Sequence, residues 1–384
     1  MNRRIAMAFE LTAYLKRHTD TYAGAMRYAE QHRDWICVID DFAEQSLRAK
    51  SKGAASYQGV VGRATSKLAE AAARARIPVV NVWRNSPAKD LFSVYPDFAK
   101  AGEMVANHLL DRGVRRLACV YRKRDPGEQE MVDRIATVAR EAECPCKMIA
   151  VGLRFAHSAS AWANTRQRIQ TWLRDTAPPM GVFTSLDMLG RHVAQLAGEN
   201  QLHVPNDVAL VSAHNEPTIC ESPEPAITSL DYGFDRVGFE AARLMDALLN
   251  GNAPATLVTK VAPRELVVRQ SSDFTYLTDD VADRAMQFMA TRSQKSISVS
   301  DVARHVNVSR RTLESRFVRA TGATLGHEIR RLRIEHAKRL LAGTQTPISR
   351  IARDVGFENA QQLARVFRRE LGMTPTEYRS QRQI

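Results

Sequence analysis

Apolar residues in the last third of the chain recur at the spacing of one buried helical face, and the pattern occurs twice. Each copy has four of them at i, i+3, i+4 and i+7, namely Val299, Val302, Ala303 and Val306, then Ile348, Ile351, Ala352 and Val355. After a short turn, each copy continues with an apolar i, i+4 pair, Leu313 with Phe317 and Leu363 with Phe367. An amphipathic helix, a short turn and a second such helix predict a helix-turn-helix, here present in two copies.

The two copies differ in the length of the turn. Equivalent residues of the two copies are 49 positions apart in the helix before the turn and 50 positions apart in the helix after it. The turn of the second copy is therefore one residue longer. We expect Gly356 to take a positive φ there, because glycine does so without strain. A long helix over 324–341 is predicted to join the copies and to fix their separation.

The residues before 272 show a different pattern, in which short apolar runs alternate with helical ones. The predicted strands cover 4–9, 35–39, 59–61, 77–80, 92–94, 117–121, 148–151, 181–184, 208–212 and 266–269. The predicted helices cover 22–32, 66–76, 98–110, 128–142, 161–174, 189–199 and 235–249. Such alternation indicates parallel sheets, and its length predicts two α/β lobes facing each other across a ligand cleft at the carboxyl ends of the strands.

The charge of the chain is concentrated in the repeated segment. The 384 residues carry a formal charge of +13. From Arg284 to the end there are 20 basic and 8 acidic residues, a net of +12, and 18 of the basic residues are Arg. The alternative is an ordinary solvated helical surface. Together with the tandem pattern, this Arg-rich charge indicates binding to double-stranded DNA.

Other functional classes lack sequence support. The five cysteines include one close pair, Cys144 and Cys146, without a second pair or a histidine cluster nearby, so we expect no metal and a reducing, cytoplasmic location. No apolar run has the length of a membrane span. Nucleophile-elbow, zinc-protease, dinucleotide and phosphate-loop motifs are missing, so we expect neither an enzyme nor a cofactor.

Several motifs resemble known regulator families. The stretches 348–359, 366–369 and 372–379 resemble the signature of AraC-family transcription regulators, although Gln362 and Leu363 stand where that family has an aromatic pair. The stretches 97–102, 108–113, 204–212, 227–230 and 263–269 resemble the LacI-type, periplasmic-binding-protein-like sensor domain. LacI-type sensors also carry an Arg early in the helix predicted at 128–142, whereas here the nearest is Arg134.

The resemblance implies a domain order that is typical of xylose-responsive activators. It assigns 1–272 to a two-lobed sensor, 273–283 to a linker and 284–384 to an all-α domain with two helix-turn-helix modules. It also implies a small sugar effector, D-xylose or a related compound, together with contact to RNA polymerase and a homodimer. The alternatives are a repressor, a sensor of another sugar or sugar acid, or a sugar-binding protein whose basic tail makes a contact other than to DNA.

Polar and aromatic residues near the ends of predicted strands are the candidate ligand contacts. Asp97, Asp187 and Asn215 follow apolar strands and match strand ends that line the cleft in the resembling family. The alternative for the two aspartates is N-capping of the next helix. Tyr14 and Trp83 are candidates for stacking against a sugar ring, although aromatic residues at such places also serve plain packing.

The outward face of each second helix supplies the candidate DNA contacts. With the apolar pairs buried, the residues left facing outward or flanking the helix are Ser309, Arg310, Arg311, Glu314, Ser315, Asn359, Gln361, Gln362, Arg365 and Arg368. Arg and Gln suit guanine and adenine edges in the major groove. The alternatives are phosphate contact for Arg368 and pairing with a neighbouring Arg for Glu314.

Overall fold

The computed structural model describes residues 3–13, 15–32, 34–48, 57–152, 158–273, 277, 279–291 and 297–382. The chain divides into two compact units, Met1–Phe274 and Thr275–Ile384. In the described part of the chain, no helix combines the length and the hydrophobicity that crossing a membrane requires.

The first unit is built from two sheets. Its strands are β1 (Arg3–Ala8), β2 (Trp35–Ile39), β3 (Gly59–Gly62), β4 (Val79–Asn81), β5 (Phe92–Pro96), β6 (Leu117–Arg122), β7 (Cys146–Val151), β8 (Met180–Thr184), β9 (Val208–Ala213), β10 (Thr228–Asp231), β11 (Val258–Val261) and β12 (Glu265–Val267). The strand orders are β11-β5-β4-β3-β1-β2 and β12-β10-β9-β8-β6-β7. Neighbouring strands run parallel except β12, which is antiparallel to β10.

Both sheets have the same doubly wound topology. In each, the chain starts on an inner strand (β1 or β6), adds the strand on one side and then continues on the other side. The direction of winding therefore switches beside β1 and β3 in the first sheet, and beside β6 and β8 in the second. Parallel sheets of this kind bind ligands outside the carboxyl ends of the strands at that point. The predicted fold class of two α/β lobes is confirmed.

Helices cover both faces of the first sheet. The helices of this unit are α1 (Lys16–Gln31), α2 (Ala43–Ser46), α3 (Ser66–Ala75), α4 (Phe98–Asp111), α5 (Pro126–Glu141), α6 (Ala159–Asp175), α7 (Asp187–Glu199), α8 (Pro217–Cys220) and α9 (Phe234–Leu249). Ile5 and Met7 of β1 pack with α1 and α9, and Ala6 and Ala8 pack with α2 and α3. The alternation follows from the two-residue period of a strand.

Several elements of the first unit differ from the sequence prediction, the short helices α2 and α8 among them, which were not predicted. Helix α1 begins at Lys16, six residues before its predicted start. Strands β10 and β11 were not predicted, since Thr228–Asp231 mixes polar with apolar residues and Val258–Val261 is an edge strand with alternating exposure. These elements owe their structure to neighbours in the fold, which a local pattern does not show.

The second unit consists of helices around two cores. They are α10 (Asp280–Thr291), α11 (Val299–His305), α12 (Arg310–Thr321), α13 (Leu325–Gly343), α14 (Ile348–Asp354), α15 (Ala360–Leu371) and α16 (Pro375–Arg382). The first turn of α10 covers residues 280–283, which the sequence assigned to the linker. Helix α13 contributes Leu325 and Ile329 to one core and Ile334, Ala337 and Leu341 to the other. One helix therefore belongs to both modules.

Candidate ligand cavity and nucleic-acid interface

A cavity of about 410 Å³ lies at the carboxyl ends of the strands of both lobes. In the first lobe, its wall comes from α1 and from residues that follow β1, β3, β4 and β5. In the second lobe, it comes from the segment between β6 and α5 and from residues that follow β9 and β10. Its volume is in the range of small-molecule sites.

Aromatic rings form much of this wall. Phe98 and Tyr232 meet edge to face, with their ring centroids 5.4 Å apart, and Phe234 lies 5.5 Å from Tyr232. On the first lobe, the Arg63 guanidinium lies over the Trp83 ring at 4.5 Å from its centroid. Such rings provide an apolar surface for the CH groups of a sugar.

Acidic residues of the cavity are held in place by protein groups. Arg122 donates from Nε to Glu128 (2.5 Å) and from Nη2 to Asp125 (3.1 Å). Asp125 also caps α5 by accepting from the amides of Gly127 and Glu128, each at 3.1 Å, and it accepts from Asn85 Nδ2 at 2.7 Å. Burial raises the pKa of Glu128, and the Arg122 charge opposes that rise. Both carboxyl groups are therefore occupied within the wall.

Two further arginines of the wall are paired and two are not. Arg63 forms an ion pair with Glu10, and Arg84 donates to Glu130 at 3.3 Å. Arg17 on α1 and Arg124 before α5 have no side-chain hydrogen bond or ion pair with any described residue. Burial and, after it, the nearby Arg122 lower the pKa of Arg17.

Two buried acceptor atoms in the wall lack a partner. His18 Nδ1 lies 3.1 Å from the Glu10 carbonyl oxygen, which only accepts, so this nitrogen carries the proton. Burial, with a smaller effect of Arg17, lowers the pKa of His18 to about 4, so the ring is neutral and Nε2 is an acceptor. Asn85 donates to Asp125 from Nδ2, and its Oδ1 is the other acceptor. Among the described residues, neither His18 Nε2 nor Asn85 Oδ1 has a hydrogen-bond partner.

The second unit presents two equivalent exposed helices, α12 and α15. Arg311 and Ser315 are exposed on α12, and Gln361, Arg365 and Arg368 are exposed on α15. The side chains of these three arginines form no ion pair or hydrogen bond with the described residues. They are available to meet phosphates or base edges.

The remaining predicted DNA contacts have roles within the helices. Ser309 caps α12 by accepting from the Thr312 amide at 3.1 Å, and Asn359 caps α15 by accepting from the Gln362 amide at 2.8 Å. The Gln362 side chain accepts from the Glu358 amide at 2.8 Å. Arg310 donates to Glu314 at 2.8 Å one turn away.

The turns before these helices take the conformation that the repeat predicts. Gly356 has φ +86°, and Asn307 occupies the equivalent place in the first copy with φ +57°. Arg333, in the middle of α13, lies against the second turn, with its guanidinium 5.9 Å from the Phe357 ring centroid. It also donates from Nη2 to the Ile297 carbonyl at 3.0 Å, so it contacts both modules.

Comparison with known families matches both units. The periplasmic binding protein-like domain family matches residues 106–272, and a helix-turn-helix domain family matches residues 302–381. The chain joins a periplasmic binding protein-like domain to a helix-turn-helix domain. This confirms the resemblance stated from the sequence motifs, including the order of the two domain types.

Two curated relatives match this chain over nearly their whole length. The chain is 25% identical over 383 residues to the xylose operon regulatory protein of Haemophilus influenzae, covering 98% of each chain. It is 26% identical over 384 residues to the protein of that name from Escherichia coli strain K12, covering 98% of this chain and 96% of the other. Both relatives are named for regulation rather than for an enzymatic activity.

Solved structures agree on the fold. The structure of the xylose-binding transcription activator XylR superposes with a TM-score of 0.67 at 22% identity, covering 100% of this chain and 99% of the other. The regulator CelR in complex with cellobiose superposes with a TM-score of 0.56 at 19% identity, covering 71% of this chain and 86% of the other. At these identities the similarity concerns the fold.

Of the predicted ligand contacts in the periplasmic binding protein-like unit, Trp83 lines the cavity, and Tyr14 lies outside the described residues. The other three are not among the residues that line this cavity, and each bonds to a protein group. Asp97 caps α4 by accepting from the Lys100 amide at 3.0 Å, and Asn215 Oδ1 accepts from Arg269 at 2.8 Å. Asp187 is buried and accepts from Ser212, from Ser229 at 2.6 Å and from the Glu216 amide at 2.8 Å.

Several wall residues were missed by sequence reasoning. Arg17 and His18 lie in the first turn of α1, which was taken to be outside that helix. His214 follows β9 and lines the cavity at φ +96°. Burial, with Arg17 and Arg122, lowers the pKa of His214. The run of Lys16, Arg17 and His18 soon after the first strand was the available signal.

No cluster of three or more His, Cys, Asp or Glu in the described part of the chain could hold a metal ion.

Proposed function

We propose that this chain is a sugar-responsive, sequence-specific DNA-binding transcription regulator, and an activator of the xylose type. The observation that carries the proposal is the combination of a cavity at the strand ends of two lobes with two exposed, arginine-bearing helices on matching cores. The names of the full-length relatives support the same assignment.

The effector binds in the cavity and acts by favouring one arrangement of the two lobes. A ligand shifts such an equilibrium only by the difference between its affinities for the two states. Residues before α4 and after β10 line the cavity where the chain crosses between the sheets, so closure around a ligand would bend these crossings. We also propose a homodimer and a contact with RNA polymerase.

The helix-turn-helix domain reads DNA with both modules. We propose that α12 and α15 enter successive major grooves on one face of the duplex, about 34 Å apart. Arg365 and Gln361 have the chemistry to read guanine and adenine edges. Arg368, one turn along α15, binds phosphate. Ser309, Asn359 and Gln362 hold the helix starts and so position the helices rather than read bases.

Two substitutions on one helix separate base reading from charge. The target is first selected from random duplexes with the full chain, and its affinity is then measured at several salt concentrations. Arg365→Ala should cost about 1–3 kcal/mol at one base pair and relax preference there. Arg368→Ala, with the same loss of charge, should weaken all sequences alike and reduce the salt slope by about 1. If affinity did not depend on salt, or were equal for target and random duplexes, sequence-specific DNA binding would be contradicted. The alternative of a sugar-binding protein whose basic tail makes a contact other than to DNA would then be favoured.

A further inference from the structure

The cavity contains two guanidinium groups that form no ion pair with the described residues, although the charges of Asp125 and Glu128 oppose the burial that lowers the pKa of one of them, Arg17. Arg17 contributes a half-buried guanidinium from the first lobe, and Arg124 contributes an exposed one from the second. Neither has an ion-pair partner among the described residues. The two carboxylates of the wall, Asp125 and Glu128, are already taken up by Arg122, by Asn85 and by the start of α5.

Two histidines of the cavity wall are held in the neutral form. Burial and Arg17 lower the pKa of His18, while burial, Arg17, Arg122 and Lys16 lower that of His214. Burial is the largest cause of both shifts, and the neighbouring cations add to it because they disfavour a second positive charge. Both rings are neutral near pH 7, and His18 presents an unpaired acceptor atom there.

The unpaired atoms define a complementary ligand. His18 Nε2 and Asn85 Oδ1 are buried acceptors, and each needs a donor such as a hydroxyl group. The Arg17 guanidinium is a cluster of donors that fits a carboxylate or a phosphate. The aromatic residues of the wall, Trp83 and Phe98 among them, suit the CH face of a sugar ring.

We propose that the effector is an anionic sugar derivative, a polyhydroxylated compound carrying a carboxylate or a phosphate group, rather than a neutral sugar. This inference rests on the proposed function and specifies its ligand class. The anionic group meets Arg17 from the first lobe and Arg124 from the second, while hydroxyl groups meet His18 and Asn85. A ligand held by charges from both lobes favours the closed arrangement.

A neutral sugar would leave the Arg17 and Arg124 guanidinium groups without an ion pair. Closure removes water from Arg17, and the desolvation of an unpaired cation is costly. Hydroxyl groups offset part of this cost by accepting hydrogen bonds, but an anion offsets it with a charge-assisted contact. The difference in affinity between the two ligand types should therefore depend on Arg17.

The test uses matched ligands on the full chain. Common pentoses and hexoses, xylose first, are each offered as the neutral sugar, as the aldonate and as the terminal phosphate ester. Binding is measured by calorimetry and by the rise in melting temperature, because ligands of the folded state stabilise it. We expect the tightest ligand to be one of the anions and to bind at least about tenfold tighter than its neutral parent. The carboxylate and phosphate arms identify the anionic group.

Variants link this preference to the cavity. Arg17→Gln should reduce the preference for the anion by about tenfold, and Arg124→Gln should reduce it less, because Arg124 is exposed. Arg27→Gln is the control: it removes the same charge from α1, but Arg27 is half exposed beside Asp235 and outside the cavity. A neutral sugar as the tightest ligand would overturn the inference and leave the proposed sugar sensor standing. No binding anywhere in the panel would overturn both.

Discussion

The buried carboxylate of Asp187 joins the carboxyl ends of two strands in the second sheet. It follows β8 and accepts from Ser212 on β9, from Ser229 on β10 and from the Glu216 amide beyond β9. Such a carboxylate resembles a ligand contact in sequence, because both roles place an acid after a strand. The difference is that both of its oxygens accept from protein donors.

The structural role of Asp187 predicts a loss of stability on its removal. Asp187→Ala would remove the acceptor of two buried hydroxyl groups and of the partly buried Glu216 amide, and we expect it to cost about 2–4 kcal/mol in the free energy of unfolding. Asp97→Ala is the matched control, since it removes a helix cap on a half-buried residue and should cost about 1 kcal/mol. Urea unfolding of the ligand-free chain measures both. Unchanged stability with lost ligand binding in Asp187→Ala would assign the residue to the ligand site instead.

The stability of the first unit should also depend on His108, which lies on α4 with Nε2 2.7 Å from Ser272 Oγ. Burial, with Arg112, lowers its pKa from 6.5 to about 3. Between these two values the unfolded chain binds a proton that the folded chain does not, so stability falls as pH falls below about 6.5.

The pH effect of His108 can be isolated by substitution. At about pH 5, wild-type protein should have lost about 1–2 kcal/mol relative to about pH 7.5 through this group alone. The side chain in His108→Gln still forms hydrogen bonds but does not titrate. The variant should therefore lose about 1–2 kcal/mol less unfolding free energy than the wild type between about pH 7.5 and pH 5. Unfolding free energies at the two pH values provide the measurement. Equal losses in both proteins would show that His108 is protonated in the folded chain.

At the scale of elements, the sequence predicted best those strands and helices whose own residues show a clear hydrophobic pattern. Strands such as β6 and β9 are continuously apolar because helices cover both faces, so they are visible in sequence. The start of α1 is polar and becomes helical where His18 and Thr21 are buried. Since that turn carries Arg17 and His18 into the cavity, missing it also concealed these two residues of the candidate site.

The two helix-turn-helix turns offer an element-scale prediction from equivalent positions. A methyl group on Gly356 would lie 2.9 Å from Arg333 Nε, and a side chain at φ +86° is strained. We therefore expect Gly356→Ala to destabilise the second module by about 1–3 kcal/mol. Asn307→Gly, at the same place in the first module, should change stability by about 0.5 kcal/mol or less, because glycine accepts this conformation.

Hydrogen exchange in the full chain distinguishes the two outcomes. Amides of α14 and α15 should exchange faster in Gly356→Ala, whereas those of α11 and α12 should keep their rates in Asn307→Gly. Unchanged protection of α14 and α15 in Gly356→Ala would mean that the turn relaxes and that Arg333 moves away without cost.

At the scale of the whole molecule, the two units divide the work by charge. The segment from Arg284 onward carries a net charge of +12 and the residues before it +1. Because Asp279, Asp280 and Asp283 belong to the second unit, that unit as a whole carries +9 and the first unit +4, so the long-range attraction to DNA comes mainly from the helix-turn-helix domain. Such a division lets an effector modulate DNA affinity without competing for the same charges.

Regulation requires that the sensor and the DNA-binding domain be coupled in free energy, and such coupling is reciprocal. If the effector changes target-DNA affinity by a factor of about 5–150, target DNA must change effector affinity by the same factor. The first factor is measured by titrating target DNA into the effector-free and the effector-saturated protein. The second is measured by titrating the effector into the DNA-free and the DNA-bound protein. We expect the two factors to agree. Arg365→Ala should weaken DNA binding and leave the factor unchanged, because a contact made in both states of the sensor cancels from the ratio. A factor of one from both directions would show independent units, and the cavity would then serve a function other than the control of DNA binding.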